Sequence, residues 1–258
     1  MLDKVTPLIL TYNEAPNIAR TLEKLSWAQE IVVIDSYSND ETIDILKSYP
    51  RVKVFQRAFD THAIQWNYGV ERVTSEWVLS LDADYGIPDR LVDEISALNN
   101  NSIDGYFIPF KYCVFGKPLQ RAILPPRQAL FRKEACTYAD DGHTQLLVNQ
   151  GSTGTLQEHI YHDDRKPVNR WFNSQIKYAD LEMKKLIDTP PVQLSLVDKI
   201  RLAKFIAPVL VLVYCLIYKG GILDGWHGIY YAFQRVLAEL VLSIKLIERE
   251  FYTTKTID

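Results

Sequence analysis

Three groups of acidic residues stand out in the sequence. Asp35 follows the apolar run Ile31–Ile34, Asp82 and Asp84 follow Trp77–Leu81, and Asp140-Asp141 lies in a later stretch of mixed pattern. In an open parallel sheet the C-terminal strand ends line one edge, and ligands bind there. Asp35 and Asp82-Ala83-Asp84 are therefore expected to face one crevice, which is acidic. Such a crevice repels a diphosphate unless a hard divalent cation bridges the two, and Asp-x-Asp presents two oxygen ligands on one short turn, as Mg2+ or Mn2+ requires. Two surface aspartates capping a helix before Pro88 would show the same spacing, so the surroundings must decide.

The elements that position these acids can be read from periodicity. Val5–Leu10, Ile31–Ile34, Val52–Phe55 and Trp77–Leu81 are β-rich apolar runs separated by helical patterns, which predicts a parallel sheet covered by helices. Pro16 suits a first helical turn, and Ser38-Asn39-Asp40-Glu41 has capping-box spacing ahead of Ile43, Ile45 and Leu46, so helices are expected to start at both places. From Ile103 to Gly154 the pattern changes to short strands and turns, expected to complete the sheet and shape a second ligand pocket.

Beyond Asn169 the sequence turns helical. Phe205–Tyr218 is fourteen residues without a charge, between Lys204 and Lys219. As a helix it would be about 21 Å long, short of the ~30 Å hydrocarbon core of a bilayer. A second helix starting at Trp226 and reaching Ile247 places Tyr230, Phe233, Leu237, Leu240 and Ile244 at helical spacing, and Gly220-Gly221 marks the turn between the two. This amphipathic hairpin has two readings. One is a helical lid or dimer interface; the other, the expectation carried forward, is shallow docking on a membrane with Lys199, Arg201 and Lys204 near lipid phosphates.

Composition excludes several classes. The 258 residues carry 29 Lys+Arg against 32 Asp+Glu, a formal charge of −3, so there is no basic field to gather nucleic acid. Cys113, Cys136 and Cys215 are odd in number and widely spaced, which predicts free thiols in a reducing compartment. The first twenty residues lack a basic n-region and a long apolar core, so cytoplasmic residence is expected. All eleven glycines lie at or after Gly69, which leaves no GxGxxG or P-loop in the first β–turn–α unit. The same absence counts against sugar nucleotidyltransferases, which usually wrap a triphosphate in an N-terminal glycine loop.

Three segments occur in order: Leu10-Thr11-Tyr12-Asn13-Glu14, Val32 to Asp40 (VVIDSYSND), and Ser80-Leu81-Asp82-Ala83-Asp84. In this combination the chain resembles the family 2 inverting glycosyltransferases of the GT-A fold, over roughly residues 4–165. It is similar to the small bacterial enzymes that extend lipopolysaccharide core or other envelope glycans. The resemblance implies an α/β, GT-A-like, mostly parallel sheet with flanking helices in residues 1–168, followed by an amphipathic helical extension in residues 169–258. By the same resemblance Thr11, Asn13 and Glu14 line the nucleotide, Asp35 accepts hydrogen bonds from the base, and Arg57, Gln65, Asn67, Asp82 and Ala83 lie beside the donor. Asp84, with help from Asp82, holds the metal, and His162 approaches the metal or diphosphate.

Displacement at an anomeric carbon needs the charge of the departing diphosphate neutralised and the acceptor hydroxyl deprotonated on the opposite face. Asp141 is the expected base by resemblance, with Asp140 orienting it or the acceptor; His143 is the rival, aligned with the His of a His-Glu pair, although Thr144 follows it here. Arg127 and Arg132 are either acceptor-phosphate ligands or solvated charges. Two residues depart from the family pattern: Trp66 stands where relatives are often basic, and Tyr37 replaces a common glycine. The expected activity is metal-dependent, inverting transfer of a sugar from a nucleotide-diphosphate donor of the UDP type to a glycan or lipid-linked acceptor. Mg2+ or Mn2+ is the expected cofactor, and the inner membrane face the expected location. The alternatives are nucleotidyl transfer on a related scaffold and a non-catalytic membrane-docking scaffold.

Overall fold

The computed structural model describes residues 1–99, 102–120, 125–141 and 144–255. Leu8 and Ile9 are neighbours in β1 (Val5–Thr11), so they point to opposite faces, and both are fully buried. All five residues of β2 (Ile31–Asp35) are buried as well. Near-continuous apolar runs of this kind belong to parallel strands covered on both faces.

Helices α1 (Ile18–Glu23), α2 (Thr42–Lys47) and α3 (His62–Arg72) alternate with β1, β2, β3 (Val52–Gln56) and β4 (Trp77–Asp82). After them come β5 (Tyr85–Gly86), α4 (Asp89–Ser96), β6 (Gly105–Ile108), β7 (Phe110–Val114), β8 (Lys117–Pro118), β9 (Arg127–Arg132), β10 (Cys136–Asp141), β11 (Thr144–Asn149), β12 (Thr153–Thr155) and β13 (Ile160–His162). The main sheet has seven strands in the order β12-β6-β9-β4-β1-β2-β3. Its pairs are parallel except that β9 runs against both β4 and β6. β10 and β11 form an antiparallel hairpin, and β5, β13, β7 and β8 form a small second sheet.

Each of the first four strands runs one residue past its apolar run and ends on a polar side chain. Thr11 pairs with Asp35, Asp35 with Gln56, and Leu10 with Asp82, so the sheet brings these ends to one edge. The close approach of α3 to the sheet depends on Gly69, where a Cβ would lie 2.6 Å from a methyl of Leu8.

Both helix starts fall later than expected, Pro16 preceding the N-cap of α1 rather than entering its first turn. α2 begins at Thr42 and carries no side-chain cap from Ser38, because the Ser38 hydroxyl is engaged with Asp35. Asp40 takes over locally by accepting from the Thr42 amide at 3.0 Å.

The chain divides into two compact units, the first ending at Arg165 and the second made chiefly of the residues from Lys166 onward. The second unit holds α5 (Val168–Asp188), α6 (Leu196–Leu202), α7 (Ile206–Val213) and α8 (Trp226–Lys255). α7 runs into a π-helical turn, Tyr214–Tyr218, rather than remaining one regular helix to Tyr218. Gly220 adopts φ 68°, a left-handed turn that suits glycine, and a short 3-10 segment leads into α8. Leu186, Leu194, Leu242 and Leu246 form the apolar centre of this unit.

Arg201, expected beside lipid phosphates, is instead half-buried and engaged within the helical unit. Its guanidinium donates to Glu182 of α5 at 2.8 Å and to Glu239 of α8 at 2.8 Å. The two glutamates are 6% and 5% exposed, so a half-buried cation is matched by two buried anions. Lys204 pairs with Glu250. Among the described residues, no helix is long and apolar enough to cross a membrane. Cys113 and Cys215 are buried, Cys136 is half-buried, and all three are free.

Candidate active site

The loops after β1 and β2 are laced together at the edge where the strands end. The Asn13 amide donates to Ser38 Oγ at 2.7 Å, the Asn39 amide to Asn13 Oδ1 at 2.8 Å, and the Glu14 amide to Thr42 Oγ1 at 2.7 Å. Asn13 and Tyr37 hold left-handed backbone, with φ 56° and 59°. Glycine adopts that conformation most readily, so a tyrosine at position 37 is held there at a conformational cost. The Tyr37 ring is exposed.

Asp35 is fully buried beneath these loops. Its carboxylate accepts from Thr11 Oγ1 at 3.0 Å, from the Ser38 hydroxyl at 2.5 Å and amide at 2.9 Å, and from Gln56 Nε2 at 3.3 Å. Four donors occupy the roughly four lone-pair sites a carboxylate offers. Asp35 is therefore the post to which the ends of β1, β2 and β3 are tied. A base reaching it must displace a donor, and the Gln56 contact is the longest.

Arg57 and Gln65, expected beside the donor, are turned onto protein. Arg57 grips Asp60 through both terminal nitrogens, at 2.9 and 2.7 Å, and donates to Gln65 Oε1 at 2.7 Å. This pairing holds the Asp60 carboxyl well below the usual carboxylate range. Gln65 is fully buried and donates onward to Ser36 Oγ at 3.1 Å. Asn67 braces the fold: it donates to the Tyr138 carbonyl and accepts from the Tyr138 amide, both at 2.9 Å, docking α3 on β10. Ala83 also turns inward, its carbonyl accepting from Thr21 Oγ1 at 2.7 Å. Trp66 is core, stacked on Tyr138.

The Asp-x-Asp turn puts its two carboxylates in different company. Asp82 Oδ2 accepts from Arg127 Nη1 at 3.3 Å, and the same nitrogen donates to the Tyr85 hydroxyl at 2.6 Å. Burial, and then the neighbouring Asp82, push the Tyr85 phenol well above its ordinary pKa, so it stays protonated. Gln145, with its amide oxygen facing inward, accepts from Arg127 Nη2 at 2.9 Å and from the Trp66 indole at 3.2 Å. Arg132 belongs elsewhere: it lies opposite Trp77 at the start of β4 and pairs with Glu76.

Asp84 is buried and lies 3.2 Å from His162 Nε2. β13 brings the histidine there by pairing antiparallel with β5, His162 against Tyr85. Burial, the largest influence, would lower the affinity of His162 for its proton, but the charge and hydrogen bond of Asp84 together with the charges of Asp82 and Asp164 outweigh it and raise the pKa. The Asp163 amide donates to the Asp84 carbonyl at 3.0 Å, which fixes the backbone of both segments.

Behind this pair stands a network that motif reading missed. Asn17 is fully buried; it donates to Glu14 Oε2 at 3.1 Å and to Asp164 Oδ1 at 3.0 Å, and accepts from the Arg165 amide at 3.0 Å. Arg20 donates to Asn17 Oδ1 at 2.8 Å and to Asp163 Oδ2 at 2.7 Å. The loop after β1 is thereby tied to the segment that follows His162. The Asn17–Arg20 spacing puts both side chains on one face of α1, the only trace of this network visible in the sequence.

Asp140 accepts from the Ala63 amide at 3.3 Å, in the first turn of α3, where the free amides and the helix dipole favour an anion. Asp141 ends β10, and its side chain, like all of Gly142 and His143, lies outside the described residues. Among the described residues, no three His, Cys, Asp or Glu side chains form a ready metal cage.

A mostly parallel sheet with helices on both faces and carboxylates at its C-terminal strand ends is a GT-A-like architecture. The TarS fragment 1–349 from S. aureus, solved with UDP-GlcNAc, superposes with a TM-score of 0.52 over 96% of this chain and 92% of that one, at 14% identity, a likeness of fold alone. Residues 8–155 match the family described as Glycosyl transferase family 2. An uncharacterized glycosyltransferase of Rickettsia bellii is 32% identical over 200 residues, covering 71% of this chain and 68% of the relative. Another, from Rickettsia typhi, is 24% identical over 202 residues, 72% of this chain and 69% of the relative. The chain belongs to glycosyl transferase family 2.

Proposed function

We propose that this family 2 glycosyltransferase is an inverting, metal-assisted enzyme of the hexosyltransferase kind. Its donor is a nucleotide-diphosphate sugar, and its acceptor a lipid-linked or envelope glycan of the lipopolysaccharide type. The observation that carries the reading is the approach of His162 Nε2 to Asp84 Oδ2, 3.2 Å apart, with Asp82 on the same turn. A carboxylate and an imidazole in contact at a strand end, with a second carboxylate on the same turn, suit Mg2+ or Mn2+, which keep open positions for water and phosphate oxygens and do not need an all-protein cage. Asp84 and His162 would hold such an ion, with Asp82 beside them. When bound, it would supply Lewis-acid neutralisation of the departing diphosphate.

The remaining roles fall to the chain's own groups. The laced loops of Thr11, Asn13 and Glu14 form the floor for the nucleoside, over Asp35. Arg127 keeps Asp82 oriented and places a positive charge at the same edge. Asp141, at the end of β10, takes the proton from the acceptor hydroxyl, while Asp140 anchors that strand end to α3. The uridine form of the donor is favoured because a protein of the same fold was solved with UDP-GlcNAc. A lipid-borne acceptor accords with the exposed apolar side chains of the helical unit, which we read as a peripheral contact with the inner membrane face.

The test is UDP release by the full chain with a panel of UDP-sugars, Mn2+ and extracted envelope lipids, alongside UDP-dependent thermal stabilisation with and without Mn2+. Metal-enhanced stabilisation by UDP and release that requires the lipid extract are expected. Preference for a nucleoside triphosphate would transfer the site to nucleotidyl chemistry, and no response to any nucleotide would leave a scaffold.

A further inference from the structure

In the helical unit, α7 and α8 pack against each other as an antiparallel pair, with Lys204 before α7 joined to Glu250 near the end of α8. Among the described residues, the outer side of this hairpin is apolar and exposed. Ile206, Val209, Leu210, Val213 and Ile217 recur at helical spacing along α7 and its π-turn, and all are exposed. The turn continues the pattern with Ile222 and Leu223, and α8 adds Trp226, Phe233, Leu240 and Ile244. Exposure is high at both ends of α7 and its π-turn, at 74% for Phe205 and 73% for Ile217, and again in the turn, at 75% for Leu223. A soluble surface rarely leaves so many large apolar groups contiguous in sequence and open to water.

The charges around this face are arranged to leave it clear. No Asp, Glu, Lys, Arg or His occurs between Lys204 and Lys219. Lys219 folds its ammonium over the Tyr214 ring, 5.6 Å from the centroid, and Asp224 in the turn accepts from the Gln120 amide at 3.1 Å. Aromatic residues with polar tips, Tyr214, Tyr218 and Trp226, stand at the end where α7 turns into α8, as side chains at a membrane–water boundary do. α7 with its π-turn is about 20 Å long, too short to span a bilayer and long enough to lie in its interfacial layer.

We propose that the α7–α8 hairpin is the membrane-binding element of this protein. It lies in the interfacial layer of one leaflet, with the outer residues of α7 and the Ile222-Leu223 turn among the acyl chains and Lys219 reaching back to the headgroups. The inference rests on the reading of the helical unit as a membrane contact and specifies how that contact is made.

The experiment is flotation of the full chain with phosphatidylcholine vesicles, with and without phosphatidylglycerol. Wild type is compared with Val209→Glu/Leu223→Glu, both at exposed positions, and circular dichroism, sedimentation velocity and UDP-dependent thermal stabilisation are recorded for each. Wild type should float with both compositions, and the double variant should lose about tenfold or more in partitioning with fold and nucleotide response retained. Unchanged flotation of the variant overturns the hairpin assignment while leaving a membrane contact elsewhere. No flotation of wild type overturns both. A wild-type dimer that the same substitutions dissociate, without vesicle binding, assigns the face to a second copy and overturns the inference. Because the nucleotide response is measured separately, failure here is distinguishable from failure of the glycosyltransferase reading.

Discussion

The Asp84 carboxylate and the His162 imidazole meet at 3.2 Å because two very short strands, β5 and β13, pair antiparallel just beyond the end of β4. Both groups are polar, and Asp84 is buried. The Tyr85 and Tyr112 rings stand edge-on to the imidazole, with centroids 5.3 and 5.0 Å away, so the pair is held in a fixed place. The donor side of the candidate site depends on this juxtaposition.

Asp84→Asn should reduce Mn2+-dependent affinity for UDP by roughly two orders of magnitude, because the amide cannot supply the charge that balances a cation. His162→Gln should cost about tenfold. Isothermal titration with and without Mn2+ measures both, and equal affinities in wild type and Asp84→Asn would remove Asp84 from the metal site.

Asp141→Asn should bind UDP and Mn2+ as wild type does and lose between about 10² and 10⁴ in turnover, the range expected for loss of a general base. Asp140→Asn should keep measurable turnover and lower the unfolding free energy by about 1 kcal/mol, since it weakens an anion at the α3 N-terminus. Wild-type turnover by Asp141→Asn would return the proton transfer to another group.

Arg201→Met should destabilise the helical unit by about 3–5 kcal/mol, because Glu182 and Glu239 would be left buried without their cation. The triple replacement with Glu182→Leu and Glu239→Leu should recover most of that loss. Chemical denaturation followed by far-ultraviolet circular dichroism distinguishes the two, and a single variant as stable as wild type would show that the triad contributes little.

Asp198 gives the helical unit a defined acid sensitivity. Burial raises its pKa, but hydrogen bonds from the Ser195 hydroxyl at 2.7 Å and amide at 3.1 Å outweigh this, and the net shift is downward from 3.8. A carboxyl depressed by folding contributes stability that is complete above its unfolded pKa and is lost as pH falls through its folded pKa. Asp198→Asn should therefore cost about 1 kcal/mol at pH 7 and progressively less below about pH 4. Denaturation of both proteins at pH 7 and pH 3 checks this; a gap of equal size at both would refute it.

Much of the sheet was legible because its strands are local apolar runs. Val5–Leu10, Ile31–Ile34, Val52–Phe55 and Trp77–Leu81 each appear as strands that end one residue later, on Thr11, Asp35, Gln56 and Asp82. Residues whose roles depend on distant partners were less legible. Ser38 has the spacing of a cap, yet its hydroxyl goes to Asp35; Arg57 and Gln65 look like ligands and are bonded to each other; Arg201 looks like a surface cation and is the half-buried partner of two buried glutamates.

Taken alone, the order of apolar runs and the acids that end them determined that a parallel sheet would carry carboxylates along one edge, since strand period and burial are set by nearest neighbours in the chain. Only the tertiary structure decided which of those polar groups stay open and which are consumed. Each buried polar group must find a partner wherever packing brings one, as Asp35 does with Gln56 and Arg201 with Glu182 and Glu239, and those partners come from strands and helices far away in the sequence.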